Sequence, residues 1–509
     1  MKRQDKRVQK NRLRFGAGGG LMRMAAAFMA ASLFLIAGIH GVEAERVVAP
    51  VSANCRLGPG KLEGGPLYLI HSCITDRDLT TLARLAMQES SGAFRAEEAK
   101  LANLRTILDL PQSVLEQFLI TTGQQDVAAE TLADRLVEMS EAHKFLIGGA
   151  FAPLSPPQPE LDALSKSAYE AARTGRYDDA KTQLTKASLA AETAAQNAPA
   201  MAAQSFAFAA AARAGLGQIA LIRLQYREAA LYFEAALRLL GDGDPARQFA
   251  YGEARARALY QQGKHKDDAA ALQDAIERYR ALLSAGPANG TPTRSAALQL
   301  NLGDALLRLG VRTGETEQLE QALIVFQGAL KDFQQARQPL DWARAQQDLG
   351  ATLLRLGLAE GGTARLLEAV AAFRESLKEY TRVRAPLEWA TAQGNLGTAL
   401  FTLGGRETGY DRFEAAVAAY RDGLKQISRD YTPLDWAARQ NNLGAALVAL
   451  SERKSSLKSL QEAVAAFRSS LEAYQDESAT YYIGGVKDNL DRAERTLKQF
   501  RLTGKMPKD

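Results

Sequence analysis

The sequence predicts an all-α protein, a solenoid of stacked helix pairs preceded by a small helical module. Three observations lead there. The phrase Pro339-Leu340-Asp341-Trp342-Ala343 returns as Pro386-Leu387-Glu388-Trp389-Ala390 and as Pro433-Leu434-Asp435-Trp436-Ala437, 47 residues apart each time, and holds all three tryptophans. A fixed period in this range marks units that bury their apolar faces only by stacking on their neighbours. Second, small residues recur where the helices of a pair should cross. Gly303, Gly350, Gly397 and Gly444 mark the first helix; Ala322, Ala369, Ala416 and Ala463 mark the second, each followed four residues later by Phe326, Phe373, Tyr420 or Phe467. Third, 46% of the residues are hydrophobic, ordinary for a folded chain and too many for a disordered one.

Residues 1–44 read as a signal peptide. A basic stretch precedes the apolar run Met24–Ile39, and small residues lead to Val42-Glu43-Ala44, a cleavage-site pattern. The run is short for a membrane span, but an uncleaved inner-membrane anchor stays open as the alternative. Either way the repeats are expected outside the cytoplasm, periplasmic or secreted if cleaved. The leader carries eight basic and two acidic residues against a net charge of +5 for the whole chain. The remainder is about neutral and gives no footprint for nucleic acid.

Residues 45–75 are rich in Pro, Gly and Val and hold both cysteines, Cys55 and Cys73. An even count in an exported chain favours a disulfide, contributing about 3 kcal/mol in the chain-entropy view. Residues 76–150 read as the small helical module. Leu79, Leu82, Leu85 and Ala86 share one face; Val114, Leu115, Phe118 and Leu119 follow Pro111; Leu132, Leu136 and Met139 mark a third helix. Pro153–Pro157 is a linker.

Two units of ordinary length are expected over 161–243, with Ala180 and Leu184 in the first and Leu216, Gly217, Ala229 and Phe233 in the second. Five long units follow over 245–479, each opened by a proline: Pro245, Pro292, Pro339, Pro386 and Pro433. Seven of the extra residues fall between the two helices of a pair. The glycine-rich segments Gly310–Gly314, Gly357–Thr363 and Gly404–Gly409 suggest that they form a ridge of loops. Asn489-Leu490 continues the register by one more step, so residues 480–509 read as a capping helix and tail.

The motif Pro-x-x-Trp-Ala-x-x-Gln-x-Asn-Leu-Gly is complete at Pro386–Gly397 and nearly so at Pro339–Gly350 and Pro433–Gly444. It resembles the long tetratricopeptide repeats of bacterial proteins that often carry signalling or protease-like (caspase-like) domains, and the Asn441-Asn442-Leu443 run is similar to kinesin light chain repeats. The resemblance implies a non-catalytic scaffold whose first helices line a concave groove for a protein or peptide partner. It also implies that the residue before Leu-Gly faces that groove, here Asn301, Asp348, Asn395, Asn442 and Asn489. Such amides can bond a peptide backbone without reading its sequence; they can also tie one helix to the next. Gln299, Gln346, Gln393 and Gln440 form a second ladder. Arg344 is the one cation expected beside the groove, where Ala297, Leu300, Ala438 and Ala445 also lie, so a carboxylate clamp is not expected. The tryptophans read as mortar within the stack.

No cofactor, metal or catalytic set is expected. His40, His71, His143 and His265 are scattered, and Gly16–Gly20 lies in the leader rather than after a strand. Self-association, or binding through the loop ridge as an envelope assembly protein, is the alternative function.

Overall fold

The computed structural model describes residues 76–87, 98–125, 127, 129–148, 158–286, 292–333, 337–429, 432–477 and 479–506. The leader, Cys55 and Cys73 lie outside them. The described residues are helical throughout, without a strand. Four helices come first: α1 (Asp76–Met87), α2 (Glu98–Leu108), α3 (Gln112–Gln124) and α4 (Ala129–Gly148). Two short pairs follow, α5 (Pro159–Arg173) with α6 (Tyr177–Asn197), and α7 (Ala202–Ile222) with α8 (Tyr226–Leu240). The first three long pairs are α9 (Pro245–His265) with α10 (Ala269–Ala285), α11 (Pro292–Thr313) with α12 (Thr316–Asp332), and α13 (Pro339–Glu360) with α14 (Ala364–Ser376). The last two are α15 (Pro386–Arg406) with α16 (Asp411–Leu424), and α17 (Pro433–Lys454) with α18 (Leu457–Asp476); α19 (Thr480–Thr503) closes the row.

From α5 on, each helix packs on the one before it and the one after it, which is the wiring of a solenoid. The first helices of successive long pairs also touch directly, from α11 through α13, α15 and α17 to α19. They therefore lie on the inner side of the curve.

Each tryptophan phrase starts a helix as its residues dictate. Proline at the first position loses no hydrogen bond there, and the acid that follows suits the positive end of the helix dipole. The tryptophan amide closes the first turn, Trp342 N–H to Gln338 O at 2.9 Å, Trp389 to Ala385 at 2.8 Å and Trp436 to Thr432 at 2.9 Å.

The loop ridge does not form. The turns inside the long pairs are two to four residues, and the seven added residues lengthen the helices on both sides. Gly310, Gly357 and Gly404 lie inside first helices, at a second close crossing. A Cβ on Gly357 would stand 2.8 Å from Leu366, and one on Gly310 or Gly404 would stand 3.0 Å from Leu319 or Phe413. The first crossing, seven residues earlier, is built alike: a Cβ on Gly350 would meet the Phe373 ring at 2.8 Å and one on Gly444 the Phe467 ring at 2.7 Å. Seven residues are about two helical turns, so both crossings share one face. The glycines that do turn the chain are Gly314 and Gly361, with φ of 73° and 76°.

Arginines tie three of the long units to the one before. Arg312 donates to Gly263 O at 3.1 Å, Arg406 to Gly357 O at 2.8 Å and Arg453 to Thr408 O at 2.7 Å. Two of these carbonyls sit in the last turn of the preceding first helix, where no intrahelical donor remains and the dipole favours a cation.

The expected module helices are present, with Leu82, Val114, Leu115, Phe118, Leu119, Leu132, Leu136 and Met139 buried. Their core is not separate. One cluster runs from Leu82 to Tyr226 and takes in the first short pair and one side of α7, with Tyr226 of α8; a second runs from Ala210 to Leu497 and holds the other side of α7 and the rest of α8. Helix α7 is apolar on nearly every side because it packs on α4, α6 and α8.

Candidate partner-binding face

The ladder before Leu-Gly lies on the inner helices but is mostly covered. Asp348, Asn395 and Asn442 are buried, while Asn301 and Asn489 are half-buried. At the C-terminal end the amides join helix to helix. Asn489 Nδ2 donates to Asn441 Oδ1 at 3.0 Å, and Asn441 Nδ2 approaches Asn442 Oδ1 at 3.5 Å. Arg344 is turned onto Asp348, with Nε 3.8 Å from Oδ2, instead of standing free beside the groove. Burial pushes the Asp348 carboxyl up to about 7; Arg344 opposes this, Asp304 adds to it and Arg308 opposes it. Beside it Arg308 Nε lies 3.1 Å from both Asp304 Oδ2 and Tyr260 Oη, and Tyr260 donates to Asp304.

The tryptophans are half-buried and belong to the stack. Trp342 and Trp389 pack with Leu340, Ala343, Tyr380 and Ala385; Trp436 packs with Ala437, Ala473, Tyr474 and Val486. Two of them lie under cations of the chain itself, Arg382 at 5.6 Å from Trp389 and Arg429 at 5.8 Å from Trp436. In the glutamine ladder Gln299, Gln346, Gln393 and Gln440 are all half-buried, and the Gln299 oxygen faces Gly328.

Three features were not foreseen from the sequence. The first is α4, which lies against the first helices α5 and α7. His143 Nδ1 bonds Tyr177 Oη at 2.8 Å. Glu138 accepts from Tyr226 Oη at 3.1 Å, and Arg135 donates to the same hydroxyl at 2.5 Å. Arg257 of α9 donates to Glu141 at 2.5 Å, and His265 Nε2 stands 3.6 Å from Glu138 Oε1. Burial holds His143 down to about 4 and His265 to about 3, so both are neutral at pH 7. Burial by itself would raise Glu138, but His265, Lys264 and Arg135 together hold it well below the usual carboxylate range. The inner side of the short pairs is thus occupied by the chain's own helix.

The second is Arg439. Its guanidinium lies where a side chain on Gly394 would be, beside Gly423, and donates to Ala390 O at 3.0 Å. A signal for it exists. The register equivalents of Gly394 are Gln347 and Asn441, and those of Arg439 are Ala345 and Ala392. A missing side chain on one helix matches an added one on the next. The third is Glu388, buried in the first turn of α15 with neither carboxylate oxygen hydrogen-bonded. Burial pushes its carboxyl up to about 8, opposed by its own backbone N–H.

Among the described residues no group of three or more His, Cys, Asp or Glu side chains could hold a metal ion. No protein-family model matches the chain, and no curated protein matches its sequence. Among solved structures, the yeast Sti1 "TPR2AB-domain:pHSP90-complex" aligns at 18% identity, covering 56% of this chain and 98% of that one, with a TM-score of 0.20. At that score the assignment of a helix-pair solenoid rests on the packing described above.

Proposed function

We propose that the chain is a non-catalytic, exported scaffold that holds a protein or peptide partner on the first helices of its long repeats. The observation that carries this reading is the continuous inner row α11 to α19, with polar side chains at one register and no insertion interrupting it. Solenoids use such surfaces for extended contacts with other chains. The short pairs offer less, because α4 already lies on them. Binding through a loop ridge loses its support, since the turns are too short to form one. The leader supports a location outside the cytoplasm, and Cys55 with Cys73 supports a disulfide in the segment that follows it.

A photo-crosslinking residue placed at Gln346 or Gln393, both half-buried on the inner row, should trap a partner in cells, while one at exposed Glu368 on α14 should not. Adducts from Glu368 alone would contradict the assignment. The same cells, fractionated, should release the chain with the periplasmic contents; retention in the cytoplasm would overturn export.

A further inference from the structure

Unbonded polar atoms gather on the inner side of α13 and α15. Gln347 Oε1, Asn395 Nδ2 and both carboxylate oxygens of Glu388 are buried without a hydrogen-bond partner. Their residues are only 6%, 7% and 9% exposed. Each such group costs about 1–3 kcal/mol if nothing meets it, so three together on facing helices point to a ligand that supplies the partners.

The register relates the first two. Gln347 and Asn395 are 48 residues apart, as are Asn441 and Asn489 two joints further on, where the same stations close a 3.0 Å bond. At α13 and α15 the acceptor and the donor occupy those stations unjoined. A main-chain amide between them satisfies both: its carbonyl accepts from Asn395 and its N–H donates to Gln347. Glu388 lies seven residues before Asn395, two turns along one face of α15, about 10 Å away. That is about three residues of extended chain.

Glu388 has no cation of its own. The neighbouring helices bring Asp341, Arg344 and Asp348 on α13 and Asp435 and Arg439 on α17. Arg344 is turned onto Asp348 and Arg439 onto the Ala390 carbonyl. None of these charges contributes at Glu388, where burial is set only against the residue's own backbone N–H.

We propose that α13 and α15 receive an extended segment bearing a lysine or arginine, its main-chain amide between Gln347 and Asn395 and its cationic side chain on Glu388. This rests on the scaffold reading and gives the partner a chemistry, a basic linear segment. It also predicts a pH dependence. With its carboxyl at about 8, Glu388 must release a proton to bind a cation. Affinity therefore rises with pH, by up to about tenfold per unit, and levels off above about pH 8.

The test is fluorescence anisotropy with the full chain and three labelled peptides of about ten residues, identical except for a central lysine, glutamine or glutamate. The lysine peptide should bind about tenfold or more tighter than the glutamate one, and tighten between about pH 6 and about pH 8. Glu388→Gln, which keeps the shape of the side chain, should abolish both the preference and the pH slope. The pair Gln347→Ala with Asn395→Ala should weaken lysine and glutamine peptides alike. A Glu388→Gln chain that keeps the lysine preference and the slope overturns the proposal. Equal binding of the three peptides, or none, overturns it too, while partner crosslinks from Gln346 would leave the scaffold reading standing.

Discussion

The short and long helix pairs meet one packing problem at one register position and solve it differently. Three residues before the small alanine of the second helix stands Tyr177 or Tyr226 in the short pairs, and Leu272, Leu319, Leu366, Phe413 or Leu460 in the long ones. In the short pairs the first helix has already ended, and the tyrosine reaches out to α4, to His143 or to Glu138 and Arg135. In the long pairs the first helix runs on, and its glycine receives the leucine or phenylalanine: Gly263, Gly310, Gly357 and Gly404 do this for the first four. The added residues give each long unit its own cover. The short units borrow theirs from the module in front of them. One difference in length thus accounts for a core shared between module and short pairs, and for an inner row left open in the long ones.

The largest effect should come from removing the borrowed cover. Leu136 on α4 is fully buried. Leu136→Asp should cost about 4 kcal/mol or more by burying an unpaired charge, and calorimetry should show the short-pair region melting in a separate, earlier transition. A smaller effect is expected inside a long unit. Gly357→Val would press on Leu366 and should cost about 1–3 kcal/mol. Gly405→Ala, where an added Cβ meets nothing, should be neutral or stabilising by up to about 1 kcal/mol in denaturant melts.

The two regions should also answer pH in opposite senses. Glu138 is held low, and His143 and His265 are held neutral. The stability they contribute is complete above the ordinary histidine range and is lost as pH falls. Asp348 and Glu388 are raised to about 7 and about 8. They penalise the long-repeat region increasingly as pH climbs from the usual carboxylate range to those values. Glu388→Gln should therefore add roughly 1–3 kcal/mol near pH 9 and little near pH 5. Chemical melts at both values would check it. A more local effect belongs to the Arg439 slot. Gly394→Ala should destabilise by about 1 kcal/mol or more, and a second change, Arg439→Ala, should recover most of it, as the equivalents Ala345 and Ala392 suggest. Additive losses in a double-mutant cycle would show that the two sites are not coupled.

Much of this was legible in the sequence because it is periodic. The prolines, the Gly–Phe crossings and the tryptophan packing repeat at 47 residues, and repetition separates a packing residue from an accident. The turn glycines misled because Gly310, Gly357 and Gly404 look like chain reversal, and only the facing Leu319, Leu366 and Phe413 show them to be close crossings. The docking of α4 leaves no periodic trace: His143 and Glu138 meet Tyr177, Tyr226 and His265 across long sequence separations. The register shows which helices carry the asparagine ladder, but how deeply Asn395 and Asn442 are covered depends on how tightly the first helices approach, which no single repeat records.

The dependence of the short pairs on α4 is tested most directly by hydrogen exchange on a chain lacking residues 76–157. The account predicts that α5 to α8 lose their protection while α11 to α19 exchange as slowly as in the full chain. Protection retained in α5 to α8, or lost uniformly along the whole row, would contradict it.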